Sequence, residues 1–202
     1  MRELGLKSKI RAKKKYFGVN GNLFATNILN RNFYSESPKH KLVTDVTYLK
    51  AGNKNYYLSV VLDLFNNEVV SYSLSKYNDG PLVLDSVKNA FNLIGSADTC
   101  LLHSDQGHQY TSVAYTTLLQ NLNITKSMSR RGNCLDNACI ESFFGHLKSE
   151  SIYLTKVSSY EELKILIDEY MYFYNNDRIQ SKLKKMAPIE YRHHFESNHD
   201  FL

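Results

Sequence analysis

Cysteine, proline and long apolar runs are scarce in this chain, and each scarcity removes a class of protein. Three cysteines, Cys100, Cys134 and Cys139, make no paired disulfide framework. The first residues carry positive charge but no apolar stretch of the signal-peptide kind, so secretion is not expected. The longest apolar run, around YYLSVVLDLF, is too short and too polar to span a bilayer. Cys134 and Cys139 lie five apart with no second Cys or His pair at finger spacing, which argues against structural zinc despite seven histidines. Tryptophan is absent, no internal repeat occurs, and low complexity is confined to the basic start. A cytoplasmic, intracellular protein in a reducing compartment, with no membrane partner, is the expectation.

What is present supports one core of moderate size: 202 residues, 43% of them hydrophobic. Charge is uneven. Residues 1–15 (MRELGLKSKIRAKKK) carry a net +6 of the chain's formal +5, which leaves the remainder close to −1. A basic arm on a near-neutral body suits a phosphate-backbone partner, because each Lys or Arg releases condensed counterions on binding. Considered alone, the arm is as readily a solvated charge run.

Residues 41–50, 55–64 and 67–75 are rich in β-branched and aromatic side chains and are separated by short polar clusters, the pattern of a three-stranded antiparallel meander. A break at Asn78-Asp79-Gly80-Pro81 precedes helical spacing of Leu82, Val83, Val87, Ala90, Phe91 and Ile94. Residues 99–103 read as a buried strand that releases the polar loop SDQG, 111–122 as a helix and 124–128 as a further short strand. A helix is expected to begin at Asp136 or Asn137, whose side chains suit an N-cap, and to run through Glu141 to about Ile152. The clearest helix opens with Ser159 and Glu162 as a capping box and aligns Leu163, Leu166, Ile167, Tyr170, Met171 and Tyr174. The expected fold is α/β: a mixed sheet, meander plus two short strands, flanked by helices.

Against this frame three acids stand out: Asp45 in VTDVTYL, Asp105 in LLHSDQGHQYTS and Glu141 in CIESFFGHLKSE, the last two separated by thirty-five residues. Carboxylates from strand ends and a nearby helix can converge on two divalent ions, Mg²⁺ or Mn²⁺, that activate an attacking oxygen and stabilise a leaving one. Any one of these acids alone is more often a cap, a turn residue or a solvated charge. Lys148 lies two helical turns beyond Glu141, on the same face, where it can touch a phosphate. Of the competing acids, Asp63 reads as structural, Asp136 as an N-cap, and Glu150 as pointing away from Glu141. His103 and His108 flank Asp105 and are read as hydrogen-bonding or core residues, since hard Mg²⁺ prefers oxygen.

Two basic stretches are candidate DNA contacts. The segment 127–133 (SMSRRGN) offers Arg130 and Arg131 beside the mobile Gly132, and the C-terminal stretch offers Tyr174, Arg178, Lys182, Lys184 and Lys185. A plain solvent loop and core tyrosines are the bland alternatives.

In order, TDVTYL, HSDQGHQYTS, SRRGNCLDNACIESFFGHLKSE and YNNDRIQSKLKKMAPIEY resemble the motifs of insertion-sequence transposases of the IS-three type (second-frame product), which have a retroviral-integrase-like catalytic core. The resemblance runs from residue 1 to about 191. It implies a ribonuclease-H-like fold, Asp45, Asp105 and Glu141 as metal ligands for two Mg²⁺ or Mn²⁺ ions, and Lys148 as a contact to DNA near the cleaved end. It further implies DNA cleavage and strand transfer, insertion-sequence ends and target duplex as partners, a homo-oligomer on DNA, and action at the bacterial nucleoid. Residues 1–38 would be a basic arm left from a helix-turn-helix region, 39–157 the catalytic core, and 158–202 its C-terminal helical part with a basic tail. Two positions depart from the family: Leu42 stands where tryptophan is frequent, and Gln180 where histidine is usual. A truncated, non-catalytic DNA-binding remnant and a ribonuclease-H-like hydrolase are the alternative readings.

Overall fold

A computed structural model describes residues 23–94 and 100–199. Its centre is a five-stranded sheet in the order β3-β2-β1-β4-β5. Strands β1 (Lys41–Ala51), β2 (Lys54–Asp63) and β3 (Val69–Ser75) form the antiparallel meander. Strands β4 (Leu101–Ser104) and β5 (Thr125–Met128) add to the free edge of β1, both pairings parallel. Parallel neighbours need crossovers, and the chain supplies them as helix α1 (Gly80–Ile94) and helix α2 (Val113–Asn121).

Both faces of the sheet are covered, so adjacent residues of β1 enter different cores. Leu42 packs with Val83, Val87 and Phe91 of α1 and with Tyr115 and Leu119 of α2. Val43 and Leu49 pack on the other face with Ile140, Phe143 and Leu147 of helix α3 (Ala138–Leu147) and with Leu163, Ile167 and Met171 of helix α4 (Tyr160–Asn176). These side chains are 5% exposed or less, and burying each is worth about 1.5–3 kcal/mol. The odd-numbered residues of β1, Asp45 among them, therefore face α3.

The expected elements are present, with instructive differences. The helix read as one stretch to Ile152 changes winding along its length: a 3₁₀ turn at Cys134–Asn137, α3 proper, then a π-helical turn at Lys148–Ile152. Ser127 lies in β5, within the expected strand, and its buried hydroxyl accepts the backbone N–H groups of Ile28 and Leu29. A last helix, α5 (Pro188–His199), lies where a basic tail was expected. It is held by Phe65, which meets the Tyr191 ring tilted and the Phe195 ring edge-on, and by an Arg192–Glu68 ion pair, contacts too distant in sequence to read from local pattern.

The basic cluster of residues 1–15 lies outside the described residues. The later part of the expected arm does not stand apart from the body. The Leu23 N–H donates to the Thr111 carbonyl, Leu29 is 2% exposed within the α3-side core, and Arg31 reaches Asp136. Helix α4 shares that core with β1 and α3, so residues 160–176 complete the same unit as the sheet.

Candidate active site

Asp45 sits in the middle of the central strand, opposite Val60 of β2. On its other side the parallel register pairs Leu42 with Leu102 and Val43 with His103; continued by two residues, it sets Asp45 beside Asp105. Asp105 follows the last residue of β4, where the chain leaves the sheet. This is the crevice beyond the carboxyl end of a strand, where open α/β sheets bind ligands.

The Asp105 carboxylate is fixed by its own turn: Oδ1 accepts the Gly107 N–H at 2.7 Å. Any side chain at Gly107 would crowd it, since a Cβ there would lie 2.9 Å from Asp105 Oδ1 and 3.1 Å from Gln109 Oε1. Asp45 Oδ1 accepts the Val46 N–H at 2.8 Å. Glu141, exposed in the first turn of α3, makes no hydrogen bond or ion pair among the described residues.

All three acids line one open cavity of about 700 Å³ together with Phe24, Gly107, Ser129, Arg130, Arg131, Asn133 and Asn137. Burial pushes the Asp45 carboxyl up to about 7, and the negative charges of Asp105 and Glu141 push in the same direction. Burial also raises Asp105. Among the described residues, no group of three or more His, Cys, Asp or Glu side chains is gathered closely enough to hold a metal ion. The donor set nonetheless fits a hard divalent cation: oxygen ligands only, and an excess of negative charge that a cation would relieve.

Lys148 begins the π-helical turn, and π turns occur frequently at functional sites. Its Nζ lies 5.1 Å from the centre of the exposed Tyr48 ring, and it is close enough to Asp45 to favour that carboxyl's ionised form. Burial lowers the lysine's own pKa while Asp45 raises it.

The three arginines singled out in the sequence have different surroundings. Arg131 is exposed at the cavity and has no hydrogen bond or ion pair among the described residues. Arg130 lines the cavity too, but its Nε and Nη2 donate to Asp136 at 3.0 and 2.8 Å. Arg178 is not at the cavity: its Nε and Nη2 hold both oxygens of Glu150 at 2.8 and 2.6 Å.

Asp136 is not the helix cap expected of it. Its carboxylate is fully buried and accepts from Arg31 Nε, Arg130 Nε and Nη2, the Arg130 N–H and Asn27 Nδ2. Those bonds hold it well below the usual carboxylate range, Arg130 contributing most. The clasp joins three segments: the incoming chain at 27–31, the loop after β5, and the turn leading into α3. Asn137 does occupy the N-cap position, but its side chain makes no capping bond. Two other expectations hold, but His108 is exposed rather than a core residue and acts on Asp105 through its charge. His103 is buried between the Ser127 and Ser129 hydroxyls, and Asp63 accepts the Lys39 and Phe65 N–H groups, a structural role. Sequence reading missed the Asp136 clasp because two of its partners, Asn27 and Arg31, lie more than 100 positions away, and the third, Arg130, was read as a DNA contact.

Integrase core domain models match residues 35–134 and 141–195. The putative transposase InsK for insertion sequence element IS150 of Escherichia coli (strain K12) is 46% identical over 194 residues, 95% of this chain and 68% of the relative. This chain belongs to the integrase-core family of insertion-sequence transposases. Transposase InsF for insertion sequence IS3A of Escherichia coli (strain K12) is 32% identical over 196 residues, 95% of this chain and 67% of InsF. Among solved structures, the HTLV-2 integrase catalytic core domain in complex with magnesium superimposes with a TM-score of 0.60 at 19% identity, covering 78% of this chain and 99% of that one. The fold is thus that of retroviral integrase cores, ribonuclease-H-like, and the chain is a transposase catalytic domain.

Proposed function

We propose that this transposase domain cuts and joins DNA strands with Asp45, Asp105 and Glu141 as ligands of two Mg²⁺ or Mn²⁺ ions. The observation that carries this reading is the convergence of three carboxylates from β1, the end of β4 and α3 on one cavity, with Asp45 raised to about 7 by burial and by its acidic neighbours. When bound, the ions would supply activation of the attacking hydroxyl or water and stabilisation of the leaving oxygen.

The chain's own residues do the rest. Gly107 holds one oxygen of Asp105 and leaves the other free. Tyr48 supports the Lys148 ammonium beside Asp45, where it would position a phosphate. Arg131, exposed at the rim, would hold the DNA backbone. Arg130 would act there chiefly by shaping the loop, because two of its nitrogens serve Asp136. Arg178 would act through the Lys148 turn, to which its partner Glu150 belongs. The DNA partners are the insertion-sequence ends and a target duplex, engaged by more than one copy of the chain at the bacterial nucleoid.

Asp105→Asn and Glu141→Gln are expected to abolish Mg²⁺-dependent nicking and strand transfer on end-containing oligonucleotides, with unfolding transitions like that of the wild type. Full activity in either purified variant would refute the assignment. Arg131, exposed at the cavity, would equally serve one competing reading, a chain that binds DNA without cutting it. Absence of nicking by the wild type in both Mg²⁺ and Mn²⁺ would select that reading.

A further inference from the structure

One buried polar side chain in the cavity is left unused by the roles above. Asn137 is 3% exposed, and neither its Nδ2 nor its Oδ1 has a hydrogen-bond partner among the described residues. It lines the same cavity as Asp45, Asp105 and Glu141. It precedes Glu141 by four residues, at the N-cap of the helix that carries Glu141, and both side chains line the cavity. The obvious structural role is not taken up, because the residue stands at the N-cap of α3 without a capping bond. Nor is it free to move: the neighbouring Asp136 is clasped by two arginines and an asparagine.

A buried amide with neither group paired is costly, and in a ligand cavity it is the mark of a group kept for the ligand. Its chemistry narrows that ligand. A phosphate offers only acceptors and would leave Oδ1 buried without a donor. A nucleobase edge offers a donor and an acceptor side by side, as in the bidentate pairing of Asn with adenine N6 and N7. The cavity, about 700 Å³, is in the size range of small-molecule sites and has room for a nucleotide.

We infer that Asn137 is a specificity-determining residue that reads, through both atoms of its amide, the base of the nucleotide bound beside the three carboxylates. The inference rests on the proposed DNA-processing function. A base that pairs with both atoms satisfies the amide, and a mismatched or missing base leaves it orphaned. Adenine is the best match to its hydrogen-bonding pattern.

The test uses the 202-residue chain and five 30-base-pair duplexes that differ only in the 3′-terminal nucleotide: A, C, G, T or an abasic residue. Affinities are read by fluorescence anisotropy in Ca²⁺, so that no turnover is required. The wild type is expected to bind the adenine-ended duplex about tenfold more tightly than the abasic one. Asn137→Ala is expected to bind all five alike, and Asn137→Asp, which keeps the acceptor and loses the donor, to lose the adenine preference. Asn137→Ala should also melt at the wild-type temperature or above it, because it removes an unpaired buried amide; a purely structural asparagine would melt lower. Equal binding of all five duplexes by the wild type overturns the inference. A uniform loss of affinity in Asn137→Ala, with the preference retained, overturns it too and indicates a backbone contact instead. Nicking in Mg²⁺ on the same samples reports separately on the catalytic reading, and failure of the wild type to bind any duplex overturns both.

Discussion

Arg178 grips both oxygens of Glu150, at 2.8 and 2.6 Å, across 28 positions of sequence. Glu150 lies in the π-helical turn that Lys148 opens, and it also accepts the Tyr170 hydroxyl of α4. The pair therefore ties the turn that carries a candidate DNA contact to the helix beneath it. Arg178→Ala and Glu150→Ala are each expected to lower stability by about 1–2 kcal/mol. Their effects should not add. A double-mutant cycle by urea unfolding is expected to return a coupling of about 1 kcal/mol.

Gly107 is the most sensitive small residue near the site. Gly107→Ala would push a methyl group against the Asp105 carboxylate and Gln109. Strand cleavage is expected to drop at least about tenfold, because catalytic groups must be held within a fraction of an ångström. Stability should change far less than activity, which parallel thermal melts and nicking assays would show.

Asp136→Asn removes the charge that two arginines share. The side chain is fully buried and both arginines are partly exposed, so the freed guanidinium groups can regain water. A loss of roughly 2–3 kcal/mol is expected, less than for an ion pair buried on both sides. Limited proteolysis should then find earlier cleavage in the loop around Arg131, since the loop loses its fastening.

Asp45 makes metal binding sensitive to pH. Its carboxyl titrates near 7 in the metal-free site, and a ligand must be ionised to bind a cation. Mg²⁺ or Mn²⁺ affinity should rise as pH increases through 7, with proton release as the ion binds below that pH. Calorimetry in buffers of different ionisation enthalpy would detect the proton, and Asp45→Asn should eliminate it.

Two buried groups oppose each other in the pH dependence of stability. Burial lowers His103 from 6.5 to about 4, so the unfolded chain holds the extra proton between those values, and stability falls as pH drops through that window. Burial raises Asp63 from 3.8 to about 6, so the native state holds the extra proton there, and stability falls as pH rises through 3.8 to 6. The contributions offset each other between about pH 4 and 6. Asp63→Asn should expose the histidine alone, with roughly 3 kcal/mol lost between pH 6.5 and 4. His103→Gln should show the reverse trend, and urea titrations across pH would separate them.

The strands were legible in the sequence through their β-branched and aromatic runs between polar clusters, and α4 through its 3.6-residue apolar periodicity. The acids were legible as well, since Asp45 falls mid-strand and Asp105 one residue past a strand, both in motifs that the family resemblance covers. What local pattern misjudged depends on distant partners. Asp136 looks like a cap until Arg31 is seen to reach it, and α5 has too few apolar residues to declare itself before Phe65 is seen between Tyr191 and Phe195. Arg178 looked like free positive charge for the same reason, whereas the partner of Arg130 is only six residues away and was itself read as a cap. The wedge of Asn137 into the cavity had no sequence signal beyond its place one turn before Glu141.

The central position of β1 has a mechanical consequence. Asp45 is laddered to β2 on one side, and its strand to β4 on the other, so displacing it means tearing the middle of the sheet. Glu141 rides on a ten-residue helix that is fastened near its start by one carboxylate and just beyond its end by one guanidinium. The site thus has two carboxylates held through the backbone of the sheet and its first turn, and a third whose freedom lies in the exposed side chain of Glu141, not in the buried helix that carries it.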